Sequence, residues 1–283
     1  MSHQLLLLIT SSTMVVVFFC IAEIVAGKHP KTSLSDLIID LTTFALPDIL
    51  IRPVVAFVIG AVVFVVLPEG AGSLAGTPWW AQFIAFLVLE DMVNYWFHRA
   101  AHTYPWMWRF HLAHHTPTYM SARIIRRNSI LYNFMFPNLY FAGILIYLGF
   151  GETFIWYNLI KSLVLAGAHS ELRWDAFLYR HKFLHPLAWV IERTISTSAT
   201  HFAHHAETEE DGIGHYNGNY CNLVFFWDVL FGTALITRKY PPRTGVLAER
   251  LEGVTPWYVQ LFYPLVSRSK KTVQSALSPE TSD

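Results

Sequence analysis

The chain has little charge and almost no cysteine. Charged residues make up 14% of its 283 residues, against roughly 25% in an average soluble domain, and twenty Lys and Arg cancel twenty Asp and Glu. Without net charge there is no global field to hold a polyanion, which excludes nucleic acid as a partner. Cys20 and Cys221 lie far apart and form no C-x-x-C, so neither a disulfide framework nor a thiolate zinc site is supported. Gly70-x-Gly72-x-x-Ala75 has the letters of a dinucleotide fingerprint. It follows an apolar run rather than a strand and precedes Pro78-Trp79-Trp80, so no nicotinamide-binding unit is expected from it. No flavin or haem motif and no internal repeat is visible.

What is abundant is apolar sequence: 53% hydrophobic and 16% aromatic, with a mean hydropathy of +0.36. Leu5 to Ala26 runs for about 22 apolar residues, enough to cross a hydrocarbon core of about 30 Å and too long for the core of a signal peptide. Val54 to Leu67 is shorter and crosses only if it extends back through Asp48 and Arg52, an i,i+4 pair of opposite charge; otherwise Ser35 to Ile51 lies along the interface. Trp79 to Phe97, Leu131 to Phe150 and Thr153 to Ala168 supply three further segments, bordered by Trp79, Trp80, Trp96 and Trp156 where an interfacial belt belongs. The expected fold is all-α, a polytopic membrane helical bundle with a cytoplasmic helical cap carrying a histidine-rich dimetal site. Its expected parts are N-terminal membrane segments (1–78), a catalytic domain (79–240) and a cytoplasmic tail (241–283) whose polar end from Ser267 reads as disordered.

Lys and Arg are retained on the cytoplasmic side of short loops. Residues 68–78 and 149–152 contain neither, whereas Lys28 and Lys31, five arginines from Arg99 to Arg127, and eleven basic residues after His169 fall in the other connections. Apart from Arg52 and Lys161, every basic residue therefore belongs to one face, assigned to the cytoplasm. Arg123, Arg126 and Arg127 read as a solvated loop, with lipid phosphate or an acidic electron donor as their alternative partners. Lys161 reads as a snorkelling side chain.

Twelve of the fourteen histidines lie between residues 98 and 215, in three spaced groups: His98-x-x-x-His102, His111-x-x-His114-His115 and His201-x-x-His204-His205. On a helix, i and i+4 stack on one face and both imidazoles reach one ion, while the adjacent third histidine is rotated about 100° towards a neighbour. That suits two metals. Two apolar segments separate the second and third groups, so the chain returns to its starting side and all three meet there, with His169 emerging at the same end. Imidazole suits iron, copper, zinc or nickel. A hydrolytic H-E-x-x-H site would need Glu where Arg99 stands, and so many neutral ligands exceed a structural zinc but fit two five- or six-coordinate redox ions; paired iron fits best.

The stretch Asp91-x-x-x-Tyr95-Trp96-x-His98-Arg99-x-x-His102, the second box, Ala168-His169-Ser170, the third box, Asn219-Tyr220 and Trp227-Asp228-x-x-Phe231-Gly232-Thr233 resembles the fatty acid hydroxylase/sterol desaturase superfamily, from about residue 80 to 235. The resemblance implies an integral-membrane, O2-dependent di-iron enzyme that hydroxylates or desaturates a lipid. It implies as ligands His98, His102, His111, His114, His115, His169, His201, His204 and His205. An additional His181-x-x-x-His185 precedes the third box, and some hydroxylases of the superfamily draw ligands from such a pair, so either it or His169 completes the set; His215 is the nearest further candidate.

Glu90, Asp91 and Asp228 are candidates to accept the second N–H of a ligating imidazole, with Asp91 seven residues before His98 and so roughly on its face. Electrons are expected from a separate ferredoxin or cytochrome-type donor docking on the basic face. The expected location is a bacterial inner membrane or the endoplasmic reticulum, with the site on the cytoplasmic side. The competing functions are a membrane metal transporter, disfavoured because the histidines follow span ends rather than line the midplane, and a membrane zinc hydrolase, which lacks its glutamate.

Overall fold

The computed structural model describes residues 3–267, and side chains from Ser12 onward. The polar tail beyond Ser267 lies outside the described residues. Among those described, the regular structure is helical, apart from one isolated bridge between Ala206 and Thr244.

Two helices are long and apolar enough to cross a membrane by length and composition, Leu34–Val66 and Pro137–His169. The first is one continuous helix. It begins with a capping box in which the Ser33 hydroxyl accepts from Asp36 N–H and the Asp36 carboxylate accepts from Ser33 N–H, and it passes Asp48 and Arg52 through a wide turn at Pro47–Ile51. Ser35 to Ile51 and Val54 to Leu67 are therefore parts of one helix, the continuity that the extended reading of this segment requires. Its outer face is bare: Phe57 and Val65 are 76% and 78% exposed, an apolar surface that suits lipid rather than water.

Pro137–His169 is broken at Gly149, whose φ is 115°. The break is a hairpin: Asn138 and Lys161, nearly equidistant from it along the chain, both reach Glu90 Oε1 at 2.8 Å. At its tip the other loop without basic residues docks, Gly72 N–H donating to Tyr147 O and Leu74 N–H to Leu148 O, each at 2.9 Å. A Cβ on Gly149 would sit 2.8 Å from the Ala75 backbone nitrogen, so both the positive φ and the close approach require glycine there. The two loops that lack Lys and Arg thus share one end of the bundle, and the histidines gather at the other.

The helix over residues 79–103 runs through the centre, with Phe86 stacked on Tyr157 and packed edge-on to Phe150. The first helix, His3–Val25, packs along Gly151–His169, and the Ser12 and Ser162 hydroxyls are 2.8 Å apart.

Arg123, Arg126 and Arg127 are not a solvated loop. Arg123 pairs with Asp40 at 2.9 Å, Arg126 with Asp48 at 2.6 Å and Arg127 with Asp36 at 2.8 Å. Arg127 is among the most buried large side chains of the chain. Asp36, Asp40 and Asp48 of the Leu34–Val66 helix supply the counter-charges, which burial demands. Nor does Lys161 snorkel: its ammonium lies 2.6 Å from Glu90 Oε2 and 3.9 Å from Asp91 Oδ1.

Residues 241–267 are folded onto the third box rather than trailing as a tail. Gly245 N–H donates to His205 O at 3.0 Å, Arg250 pairs with Glu207, and Tyr263 packs on Phe110 and Arg109 of the helix that carries the second box.

Candidate metal centre

Four helices deliver the histidines. His98 and His102 end the central helix; His111, His114 and His115 occupy the last turns of Pro105–His115; His169 ends Gly151–His169; His201, His204 and His205 belong to Ser198–His204 and its cap. The last of these is short and is held by buried groups: Thr197 caps it, and Asp175 accepts from Ala199 N–H at 2.7 Å.

The nine rings form two adjoining clusters. His98, His102, His111, His115 and His204 make one; His114, His169, His201 and His205 make the other; in each, the ring nitrogens that face inward lie within 4.8 Å of one another. The second box sends its i and i+4 rings to the first cluster and its middle ring to the second, and the third box does the reverse. His115 and His205 stack face to face at 4.3 Å between ring centres, where the clusters meet.

The outer nitrogens determine the tautomers. Nδ1 donates to Tyr220 O from His98 (2.6 Å), to Ile124 O from His114 (3.2 Å), to Leu165 O from His169 (2.9 Å) and to Gly218 O from His204 (2.8 Å). A carbonyl oxygen only accepts, so each Nδ1 holds the proton and each neutral ring turns a bare Nε2 lone pair inward. Burial holds His111, His114, His115, His201, His204 and His205 neutral, with pKa values well below the usual histidine range. The Nε2 atoms of His98 and His204 nevertheless stand 3.2 Å apart, and those of His114 and His169 3.3 Å apart. No proton lies between such pairs, so their lone pairs repel unless a cation joins them. Two imidazole nitrogens about 2.1 Å from one ion and at right angles are about 3.0 Å apart, which matches the 2.9 Å of His98–His111 and His169–His201 as well. The buried Nε2 of His102 has no protein partner. The donor set fits metal.

The other candidates lie elsewhere. His181 packs between Phe177 and Phe183, and His185 Nε2 faces Tyr179 O at 3.0 Å; neither joins a cluster, whereas His169 does. His215 Nε2 faces Thr233 O at 3.2 Å and braces the loop that offers Gly218 O. A Cβ on Gly218 would meet that ring nitrogen at 2.0 Å, so glycine is required where the His204 acceptor is built.

The carboxylates are displaced from the roles assigned by spacing. Glu90 takes Asn138, Tyr157 and Lys161, and Asp91 accepts from Val224 N–H and Trp227 Nε1–H, both at 3.1 Å. The wide turn Leu87–Met92 rotates them off the face that α-helical spacing assigns. Asp228 acts one bond further out, accepting Tyr220 N–H and Cys221 N–H at 2.9 and 2.8 Å and so holding the carbonyl that His98 uses.

Three positioning residues have no signal in the spacing. Asn128 Oδ1 is 2.7 Å from His111 Nδ1. Glu23, fully buried on the first helix, accepts from Ser121 and Ser170 hydroxyls at 2.6 and 2.8 Å, tying down the segments that carry Ile124 O and His169. Asp175 is the third. Glu23 and Asp175 would have been visible only as isolated acids next to apolar sequence.

The fatty acid hydroxylase family model matches residues 83–233. The chain belongs to that family. It is 30% identical over 160 residues to an alkylglycerol monooxygenase of Danio rerio, a match that covers 55% of this chain and 31% of the relative. The chain thus spans about a third of the length of that curated relative. No solved structure matches it. All nine box and inter-box histidines of the chain lie together inside the matched region.

Proposed function

We propose that this member of the fatty acid hydroxylase family is an integral-membrane di-iron oxidoreductase that uses O2 and externally supplied electrons to hydroxylate a lipid, with the alkylglycerols named by its relative as first candidates. The observation that carries this reading is the pairing of bare Nε2 lone pairs at 3.2 and 3.3 Å in two adjoining clusters. His98, His102, His111, His115 and His204 would hold one ion and His114, His169, His201 and His205 the other. The chemistry such ions supply is the activation of dioxygen for an unactivated C–H bond, which no side chain performs.

The chain's own part is positioning. Backbone carbonyls and Asn128 hold the Nδ1 protons of His98, His111, His114, His169 and His204, which keeps those rings in one tautomer and orientation. Burial keeps water from the clusters. The basic face around Arg99 and Arg109 is the docking side for a ferredoxin or cytochrome-type donor, and the clusters belong to the cytoplasmic side of a bacterial inner membrane or the endoplasmic reticulum. A metal transporter or zinc hydrolase has no corresponding support: the clusters end the helices instead of lining a path, and Arg99 stands where the hydrolytic glutamate belongs.

The test is reconstitution of chelated protein with Fe(II) or Zn(II) separately, with a donor system, followed by mass spectrometry of the lipid. About two irons per chain and a product heavier by one oxygen are expected with iron alone. Oxygen-dependent product with zinc alone would overturn the reading, because zinc has no redox chemistry.

A further inference from the structure

A cavity of about 280 Å3 opens between Leu34–Val66, the Pro137–His169 hairpin and the central helix at Glu90 and Asn94. Two residues that hold histidine rings reach it. Asn128, which bonds His111, lines it, and so does Leu165, whose carbonyl takes His169. Part of its wall is apolar, from Val55, Ala142 and Phe154 among others, as a lipid chain requires.

The remainder is unexpectedly polar for the interior of a bundle with a lipid-facing exterior. Asn94, Asn138, Asn158 and Asn222 line the cavity. Asn138, 9% exposed, gives its amide N–H to Glu90 and leaves a buried Oδ1 with no partner. Among the described residues, no side-chain hydrogen bond joins Asn94, Asn158 or Asn222 to the protein. A buried amide oxygen without a partner is costly; Asn138 Oδ1 is such an atom, and the amides of Asn94, Asn158 and Asn222 on the same wall are free to donate and accept beside it.

The charge at the cavity is balanced. Arg52 and Arg126 share Asp48, while Lys161 sits against Glu90 and Asp91, so each of the three lining cations is already paired with a carboxylate, of which Glu90 itself lines the cavity. These include the two basic residues, Arg52 and Lys161, that the charge distribution leaves at membrane depth. A lipid carboxylate or phosphate would find no unmatched cation and would meet Glu90, at the cost of burying a further unpaired charge. A neutral head group pays no such cost.

We propose that this asparagine-lined cavity is the head-group subsite for the oxidised lipid, and that it takes a neutral, hydroxyl-bearing head through Asn94, Asn138, Asn158 and Asn222. The proposal rests on reading the clusters as the oxidation site and goes beyond it by assigning the residues that select the substrate.

Binding of 1-O-hexadecylglycerol and of palmitate to the full-length, zinc-loaded protein in detergent, measured by displacement of a fluorescent lipid, separates the two questions because no turnover is involved. The glycerol lipid should bind at least about tenfold more tightly, and Asn158→Leu and Asn138→Leu should each remove about tenfold of that preference while leaving palmitate binding unchanged. Asn158→Ser, which keeps a hydroxyl at the wall, should recover part of it. Should Asn138→Leu fail to fold, the half-buried Asn158 carries the test. Equal or tighter binding of palmitate, or Leu variants with wild-type preference, would overturn the subsite and leave the oxidation reading standing. An intact preference with no oxidised product from either lipid under iron would do the opposite.

Discussion

His98 and His204, 106 residues apart in the chain, each give an Nδ1 proton to a backbone carbonyl and bring their Nε2 atoms to 3.2 Å. Two lone pairs at that distance repel unless a cation joins them, and the pair links the first box to the third.

Removing a ring from this arrangement should be far costlier than removing a histidine outside it. His204→Ala and His114→Ala are expected to lower product below about 1% of the parent and to reduce bound metal, since even outer partners of ligands are worth about 10- to 100-fold. His185→Ala, which loses only a contact to Tyr179 O, should retain parental product and metal content. Inactivity of His185→Ala with full activity of His114→Ala would reverse the assignment.

Asn128 offers a subtler change. Asn128→Ala leaves His111 Nδ1–H without its acceptor at 2.7 Å, and metal retention against a chelator should fall by about 10- to 100-fold. Asn128→Asp restores an acceptor at the same place and should recover most of the loss. An alanine variant that holds metal as well as the parent would remove Asn128 from the positioning role.

Acid should destabilise the chelated protein. Burial places the pKa values of His111, His114, His115, His201, His204 and His205 well below that of an ordinary histidine, near 6.5 in the unfolded chain. As pH falls through about 6.5 the unfolded state takes up protons that the folded state refuses, so their stabilising contribution is complete above that value and is lost below it, by up to about 1.4 kcal/mol per pH unit for each ring. Thermal unfolding in detergent should show a flat Tm above about pH 7 and a falling one towards pH 5. A Tm that rises on acidification would contradict neutral rings.

Orientation is testable with single cysteines. A cysteine at Gly72, in the loop docked on the hairpin tip, should react with an impermeant reagent from outside, and one at Ser267 should not. The opposite labelling would invert the proposed topology, with basic loops outside.

The box spacing was legible because helical geometry is local: i and i+4 share a face whatever surrounds them. The same rule explains why His111 and His115 separate from His114 and why His201 and His205 separate from His204. It was misleading for Asp91, because a wide turn between Leu87 and Met92 depends on what packs against the helix rather than on letters nearby. The arginines of 123–127 carry no local sign of their partners for a related reason. Charge statistics describe loops, whereas Asp36, Asp40 and Asp48 come from a helix 78 to 91 residues earlier in the chain than their partners and meet them only after folding.

By itself the sequence determined an all-helical chain with apolar segments long enough for a bilayer, three histidine boxes with two-cluster spacing, and membership in a hydroxylase superfamily, because each is written in hydrophobic runs or short-range periodicity. Only the tertiary structure decided that His169 joins the clusters and His181 and His185 do not, that Lys161 meets Glu90, and that carbonyls of Tyr220, Ile124, Leu165 and Gly218 hold the rings. Those choices depend on long-range contacts between surfaces that no local pattern encodes, and a backbone carbonyl, identical at every residue, leaves no mark in the sequence at all.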